Sequence, residues 1–313
     1  MNMKPKTLLT HPRRYLYGAA LFWLSVVILF ASQGVSAQAD SLHEKIIVSG
    51  ASGKLGGLAV EELLRRGVDP GDLILVSRTP AKLQHYAKMG ASVRFGDFSK
   101  PESLPAAYAG GKRMLLISIS TGGSKRPQLQ EHAIDAAKQA GVRQIAYTSF
   151  VDMDHNTSPI AHDHRITEQY LKKSGVAWTM LRNSIYMDGL VDVAARMVKT
   201  GRAVIPPDET KIAYVTREDC AAAAAAVLTM PGTENMAYDI TGPRAIGISE
   251  IAAAAAAVSG KPIEVTQGNE APGGFRLSGD FLSVTSSAVA DLTGRPATSI
   301  RMLLQAHKDE LQP

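Results

Sequence analysis

From Lys45 onward, short apolar runs alternate with longer stretches in which apolar residues recur every three or four positions. The runs predict strands at about 45–49, 73–77, 92–95, 113–118, 144–149 and 177–181. The helical stretches are about 54–67, a helix opened by Arg78-Thr79-Pro80, a short one around 101–109, then 127–140 and 161–174. In the first helix Leu55, Leu58, Ala59, Leu63 and Leu64 fall at helical spacing, and Gly67 marks its end. Strands and helices alternating in this way build a parallel sheet with helices on both faces.

After Arg182 the pattern changes. A loop and helix at about 186–200 lead through Pro206-Pro207 to a short strand at 212–214. Thr216-x-x-Asp219 has the spacing of a capping box and opens an alanine-rich helix. A strand at 237–240, a second alanine-rich helix, a strand at 263–265, a Gly/Pro-rich loop at 267–280 and a last helix at about 298–311 follow. The fold class expected is α/β: a doubly wound parallel (Rossmann) sheet over 44–183, with 184–313 as a small C-terminal substrate lobe completing the same domain.

In such a sheet, ligands meet the loops at the carboxyl ends of the strands, nearest the point where strand order reverses. The first strand runs Ile46-Ile47-Val48-Ser49 into Gly50-Ala51-Ser52-Gly53-Lys54-Leu55-Gly56. An apolar run, a glycine turn and a helix start place a dinucleotide's pyrophosphate on backbone N–H groups. Glycines stepped in this way also serve plain packing, so the remaining strand ends are the test. The second strand ends at Ser77-Arg78, where a nucleotide lacking the 2′-phosphate would be met by an acid; arginine there suits NADP(H). The bland alternative is a solvated arginine. Asp97 and Phe98 end the third strand, placed for the edge and face of an adenine. Ser118 and Ser120 end the fourth, Thr148 and Ser149 the fifth, and Arg182, Asn183 and Ser184 the sixth.

Charge changes the picture only at the N-terminus. Residues 1–39 hold Lys4, Lys6, Arg13 and Arg14 and no acid; of 34 basic residues the other 30 face 29 acidic ones. The chain's positive balance therefore gives no ground for a nucleic-acid partner. A basic start, an apolar run from Tyr15 to Ala31 and Val35-Ser36-Ala37 read as an export signal, cleaved to leave Gln38. Arg13-Arg14-Tyr15-Leu16 has the form of a twin-arginine signal, which would make the protein periplasmic. A membrane anchor, or a start-site artefact on a cytoplasmic protein, explains the same residues. Cys220 is the lone cysteine, so no internal disulfide is possible; its alanine-rich surroundings suggest a core residue.

Three motifs are discounted. Tyr108-x-x-x-Lys112 has the spacing of a short-chain dehydrogenase proton relay, but precedes the fourth strand and spans Gly110-Gly111. No other tyrosine has a lysine four residues on. Ser52-Gly53-Lys54-Leu55 is not a P-loop. His155, His162 and His164 lack the spacing of a zinc helix, and no metal is expected. His164, one turn before Glu168, could instead face a nicotinamide.

The segments VSGASGKLGGLAVEELLRRG, LVSRTPAKL, GDFSKPESL, LLISIS, AAKQAGVRQIAYTSF, SGVAWTMLRNSIY, KIAYVTREDCAAAAA, YDITGP and LTGRPATSI resemble the NmrA-like atypical short-chain dehydrogenases. Among these the chain is most similar to NADPH-dependent quinone oxidoreductases. The resemblance implies NADP(H) across the strand ends and hydride transfer to a quinone-like acceptor. It places Gly50, Ser52, Gly53, Leu55 and Gly56 at the pyrophosphate and Arg78 at the 2′-phosphate. Thr148, Ser149, Arg182 and Asn183 fall beside the nicotinamide, and Tyr186 with His164 on the acceptor side. Two features depart from the family: the shortened segment 267–280, which weakens any inference about the acceptor, and the leader. A regulator that senses NAD(P) without turnover is the competing reading.

Overall fold

A computed structural model describes residues 44–120, 123–268 and 278–312. The leader, with its predicted export signal or anchor, and most of the 267–280 loop lie outside the described residues. Among the described residues no helix is long and apolar enough to cross a membrane.

Seven parallel strands form the central sheet: β1 Ile46–Ser49, β2 Leu73–Ser77, β3 Ser92–Phe95, β4 Arg113–Leu116, β5 Gln144–Phe150, β6 Ala177–Asn183 and β8 Met236–Ile240. Their order is β3-β2-β1-β4-β5-β6-β8. The order reverses between β1 and β4, so the glycine turn after Ser49 lies at the switch point. Alternate side chains of each strand enter two cores. On one face Val48, Leu75, Leu115, Ala146 and Leu181 meet α1 (Lys54–Arg65), α7 (Arg217–Thr229) and α9 (Ala288–Thr293). On the other Ile47, Val76, Met114, Ile145 and Met180 meet α3 (Leu104–Tyr108), α4 (Arg126–Gln139) and α5 (Pro159–Lys173). A short helix α2 (Gln84–Lys88) links β2 to β3.

The segment after Asn183, expected as one lobe, is divided. Helix α7 and strand β8 return to the main sheet. Ten successive residues of α7, Asp219–Leu228, are buried. Six of them are alanines, whose small side chains let one helix lie close to sheet, α1 and α9 together. Thr216 caps α7 by accepting from the Asp219 N–H at 3.1 Å. The second half of the expected capping box is spent elsewhere: the Asp219 carboxylate accepts from Arg295 Nη1 at 2.6 Å and the Thr298 N–H at 2.8 Å. It thus ties the C-terminal segment to the core. Cys220 is buried, and burial raises its thiol well above the usual range, as suits an inert core residue.

The rest of the C-terminal part has a core of its own. It contains α6 (Leu190–Thr200), α8 (Ile248–Ser259) and α10 (Ile300–Ala306) beside a two-stranded parallel sheet of β7 (Arg202–Ile205) and β9 (Glu264–Gln267). Residues 212–214 are not the expected strand; Ile212 forms an isolated bridge to Ile246, while β7 supplies a strand that the polar Arg202 and the glycine before it concealed. The last helix is shorter than predicted, ending at Ala306 before a 3₁₀ turn at Lys308–Leu311, and α9 precedes it unannounced.

Candidate functional site

A cleft of about 460 Å³ runs along the carboxyl ends of β3, β2, β1 and β4. Gly50, Ser52, Gly53, Arg78, Asp97, Phe98, Ser118 and Ser120 line it, whereas Thr148, Ser149, Arg182 and Asn183, at the ends of β5 and β6, do not. The glycine turn divides its labour. Gly50 takes φ +96°, a conformation that disfavours any side chain. The Gly50 and Ala51 N–H groups both donate to Val76 O, at 3.0 and 3.1 Å, and Gly53 N–H donates to Gly50 O. Those amides hold the turn. The first-turn amides of α1, at Lys54, Leu55 and Gly56, start a helix whose cap Gly53 has no side chain to serve them. They are the donors available for an anion. Ala51, Leu55 and Gly56 are buried beneath the turn, so any contact they make to a nucleotide is through backbone. A Cβ on Gly56 would overlap the Gly50 carbonyl, which explains the third glycine as a packing requirement between helix and strand. The Lys54 side chain is exposed.

Beyond β2, Arg78 is joined at the cleft by Lys82, a residue the sequence reading missed. Lys82 lies in a 3₁₀ turn from Pro80 to Leu83, which directs it back toward the strand end. Ser52 and Ser77 hydroxyls meet at 2.6 Å beneath them. Asp97 accepts from Ser99 N–H and Oγ–H at 3.0 and 2.8 Å. Burial opposes its ionisation, but the Ser99 bonds with the charges of Arg78 and Lys100 outweigh it and hold the carboxyl below its usual range.

At β5 and β6 the two faces of the sheet separate the predicted residues. Thr148 Oγ1 accepts from Ser118 N–H at 2.8 Å, fixing the β4 loop. Ser149 and Arg182 belong to the opposite face. Ser149 Oγ donates to Glu168 Oε1 at 2.7 Å, and Arg182 donates to the same carboxylate from Nε at 3.1 Å and Nη2 at 3.0 Å. Arg182 also reaches Asp154 at 3.0 Å. Their side chains brace the strand ends against α5, a correction to the expectation that they meet the nucleotide directly.

His164 is corrected likewise. The period of α5 turns it inward with Ala161, Thr167, Glu168 and Leu171. Arg126 Nη2 lies 2.8 Å from Nε2, so Nε2 accepts; Nδ1 then carries the proton and donates to Tyr147 Oη at 2.9 Å. Burial, reinforced by the Arg126 charge, pushes its pKa down to about 3. Both nitrogens are occupied and the ring is neutral, so His164 supports α5 against β5 and its one N–H is committed to Tyr147. His155 pairs instead with Asp152, and among the described residues no three metal-ligating side chains gather. Tyr108 is buried with its hydroxyl 3.0 Å from Ser49 Oγ, which removes it from any relay with Lys112.

Asn183 and Tyr186 do come together. Asn183 Nδ2 donates to Tyr186 Oη at 3.4 Å. Burial raises the Tyr186 phenol, leaving it protonated at neutral pH. Asn183 Oδ1 and Ser184 Oγ are buried without a partner. Orphaned polar atoms at the carboxyl end of β6, in the same parallel sheet as the glycine turn, are of the kind the carboxamide end of a dinucleotide would satisfy. When bound, NADP(H) supplies a hydride; the first-turn amides of α1, Arg78 with Lys82, and Asn183 with Ser184 would hold its three polar regions.

Comparison with known proteins gives the chain's family. A family model described as NAD(P)H-binding matches residues 50–231. Quinone oxidoreductase 2 of Escherichia coli K12 is 36% identical over 226 residues, 72% of this chain and 78% of that one. Escherichia coli NADPH-dependent quinone oxidoreductase complexed with NADPH has a TM-score of 0.74 at 32% identity, covering 84% of this chain and 99% of that one. Citrobacter sp. triphenylmethane reductase complexed with NADP(H) gives 0.77 at 29%, again over 84% and 99%. The chain belongs to the NAD(P)H-binding family of NmrA-like atypical short-chain dehydrogenases, and its cofactor is NADP(H).

Proposed function

We propose that this NAD(P)H-dependent oxidoreductase transfers a hydride from NADPH to a quinone or a similar small acceptor. The observation that carries the reading is the row of strand ends, with cations at the β2 end and Asn183 beside Tyr186 at the β6 end. The chemistry asked of the protein is orientation and exclusion of water. No strong general base is needed, since a quinone accepts hydride readily and takes its proton from solvent. This suits a site in which Tyr186 is a neutral hydroxyl and His164 is occupied elsewhere. The similarity to quinone oxidoreductase 2 supports the acceptor class.

The test is NADPH oxidation with a panel of quinones. Acceptor-dependent oxidation is expected; tight NADPH binding without it would leave the sensor reading in place. We further read residues 1–37 as an export leader, expected to give a periplasmic protein beginning at Gln38 on sequencing of its mature terminus.

A further inference from the structure

Arg217 stands in an electrostatically awkward place. It is the first residue of α7, where a cation opposes the helix dipole. Asp188 offsets the charge: its carboxylate meets Arg217 Nη1 at 3.2 Å and accepts the Arg217 backbone N–H at 3.1 Å. The guanidinium lies over the Tyr186 ring, 4.3 Å from its centroid. The hydroxyl of that tyrosine accepts from Asn183 Nδ2, whose amide Oδ1 is buried and unpartnered. Among the described residues the Arg217 side chain has no ionic partner other than Asp188, which it meets through one nitrogen. Its side chain is 23% exposed, so the remaining N–H groups sit at a surface from which water is partly excluded. A cation that only braced the start of α7 would not need to cover Tyr186.

We propose that Arg217 is an acceptor-site residue, its guanidinium held by Asp188 and Tyr186 to receive the oxygen of a planar carbonyl acceptor that becomes anionic as hydride arrives. This rests on the hydride-transfer reading above and names the group that stabilises its product. The balance is simple. The reduced nucleotide loses a hydride; the quinone gains it at one oxygen; the other oxygen becomes a phenolate and takes a proton from water, giving the hydroquinone. A preorganised planar donor beside the developing charge favours acceptors whose reduction concentrates charge on oxygen. Lysine, a point charge without the fork or the stacking plane, would serve less well.

The experiment compares wild type, Arg217→Ala and Arg217→Lys. With 1,4-benzoquinone and NADPH, Arg217→Ala should lose roughly 100-fold in kcat/KM, the effect of one oxyanion donor, and guanidinium ion at millimolar concentration should restore part of it. The binding arm uses NADP⁺-loaded protein titrated with 4-nitrophenolate at pH 8, read by its absorbance. Arg217→Ala should bind it at least ~10-fold more weakly, while binding of neutral 4-nitroanisole and of NADPH changes less than ~2-fold. Arg217→Lys should fall between. Unchanged nitrophenolate affinity, or equal losses for nitrophenolate, nitroanisole and NADPH, would overturn the assignment. Failure of the quinone reading shows itself separately, as wild-type protein that leaves NADPH unoxidised while still discriminating the two probes.

Discussion

Replacing Glu168 with leucine tests the brace at the ends of β5 and β6. The carboxylate side chain is 3% exposed and that of Arg182 7%. Leucine leaves Arg182 with Asp154 alone, which at 73% exposure is a weak surface partner. Breaking a buried pair from one side costs about 3–5 kcal/mol because the other charge stays behind. Ser149 Oγ also loses its acceptor, at a further cost of about 1–3 kcal/mol for a stranded hydroxyl. The loss should be on the order of 5 kcal/mol, or a fall of about 10–20 °C in Tm for a domain of this size. The double substitution Glu168→Leu with Arg182→Met removes both charges and should recover most of it. Urea and thermal unfolding followed by circular dichroism measure all three variants. A Glu168→Leu protein within ~1 kcal/mol of wild type, or a double variant no more stable than the single one, would show that the buried pair does not brace these strands. The functional counterpart is NADPH affinity, which should weaken because Ser149 and Arg182 are chain neighbours of Thr148 and Asn183, whose side chains lie on the other face of the sheet.

Arg78→Ala should raise KM for NADPH by about 10- to 100-fold, the equivalent of one charged hydrogen bond, and leave KM for NADH nearly unchanged. Equal effects on the two nucleotides would remove Arg78 from the 2′-phosphate. His164 gives a pH prediction. Its native pKa of about 3 lies below the unfolded value of 6.5, so between those values the unfolded chain binds a proton that the native state refuses. Stability should therefore fall as pH is lowered through that window, by at most ~1.4 kcal/mol per pH unit from this group. His164→Phe should flatten the dependence in denaturation curves at pH 4 to 7, and the activity profile above pH 6 should keep its shape. A profile that loses an ionisation near neutrality in this variant would return His164 to the chemistry.

The positions of the glycine turn, Arg78 and the other strand ends were legible because each follows an apolar run whose length sets where the strand stops. Ser149 and Arg182 were misread for a reason built into parallel sheets. Adjacent residues of a strand point to opposite faces, but both faces here are apolar, so no alternation shows which neighbour points to the nucleotide. The pairing of Glu168 with Ser149 and Arg182 was not legible because these partners lie 19 and 14 residues away, a pairing set by how α5 docks. Lys82 reaches the cleft through a 3₁₀ turn, whose direction residue spacing does not reveal. Strand β7 was hidden because its partner β9 lies some sixty residues on, Arg202 opposite Glu264.

The way α7 closes the first core has a consequence for the order of synthesis. Val48, Leu115, Ala146 and Leu181 come off the ribosome early, yet the helix that covers them ends only at Thr229, with α9 later still. Until then the part of that face lying beneath α7 and α9 has only the earlier-made α1 beside it. A chain cut short before Thr229 leaves the sheet surface under α7 open and is expected to draw chaperones and proteases.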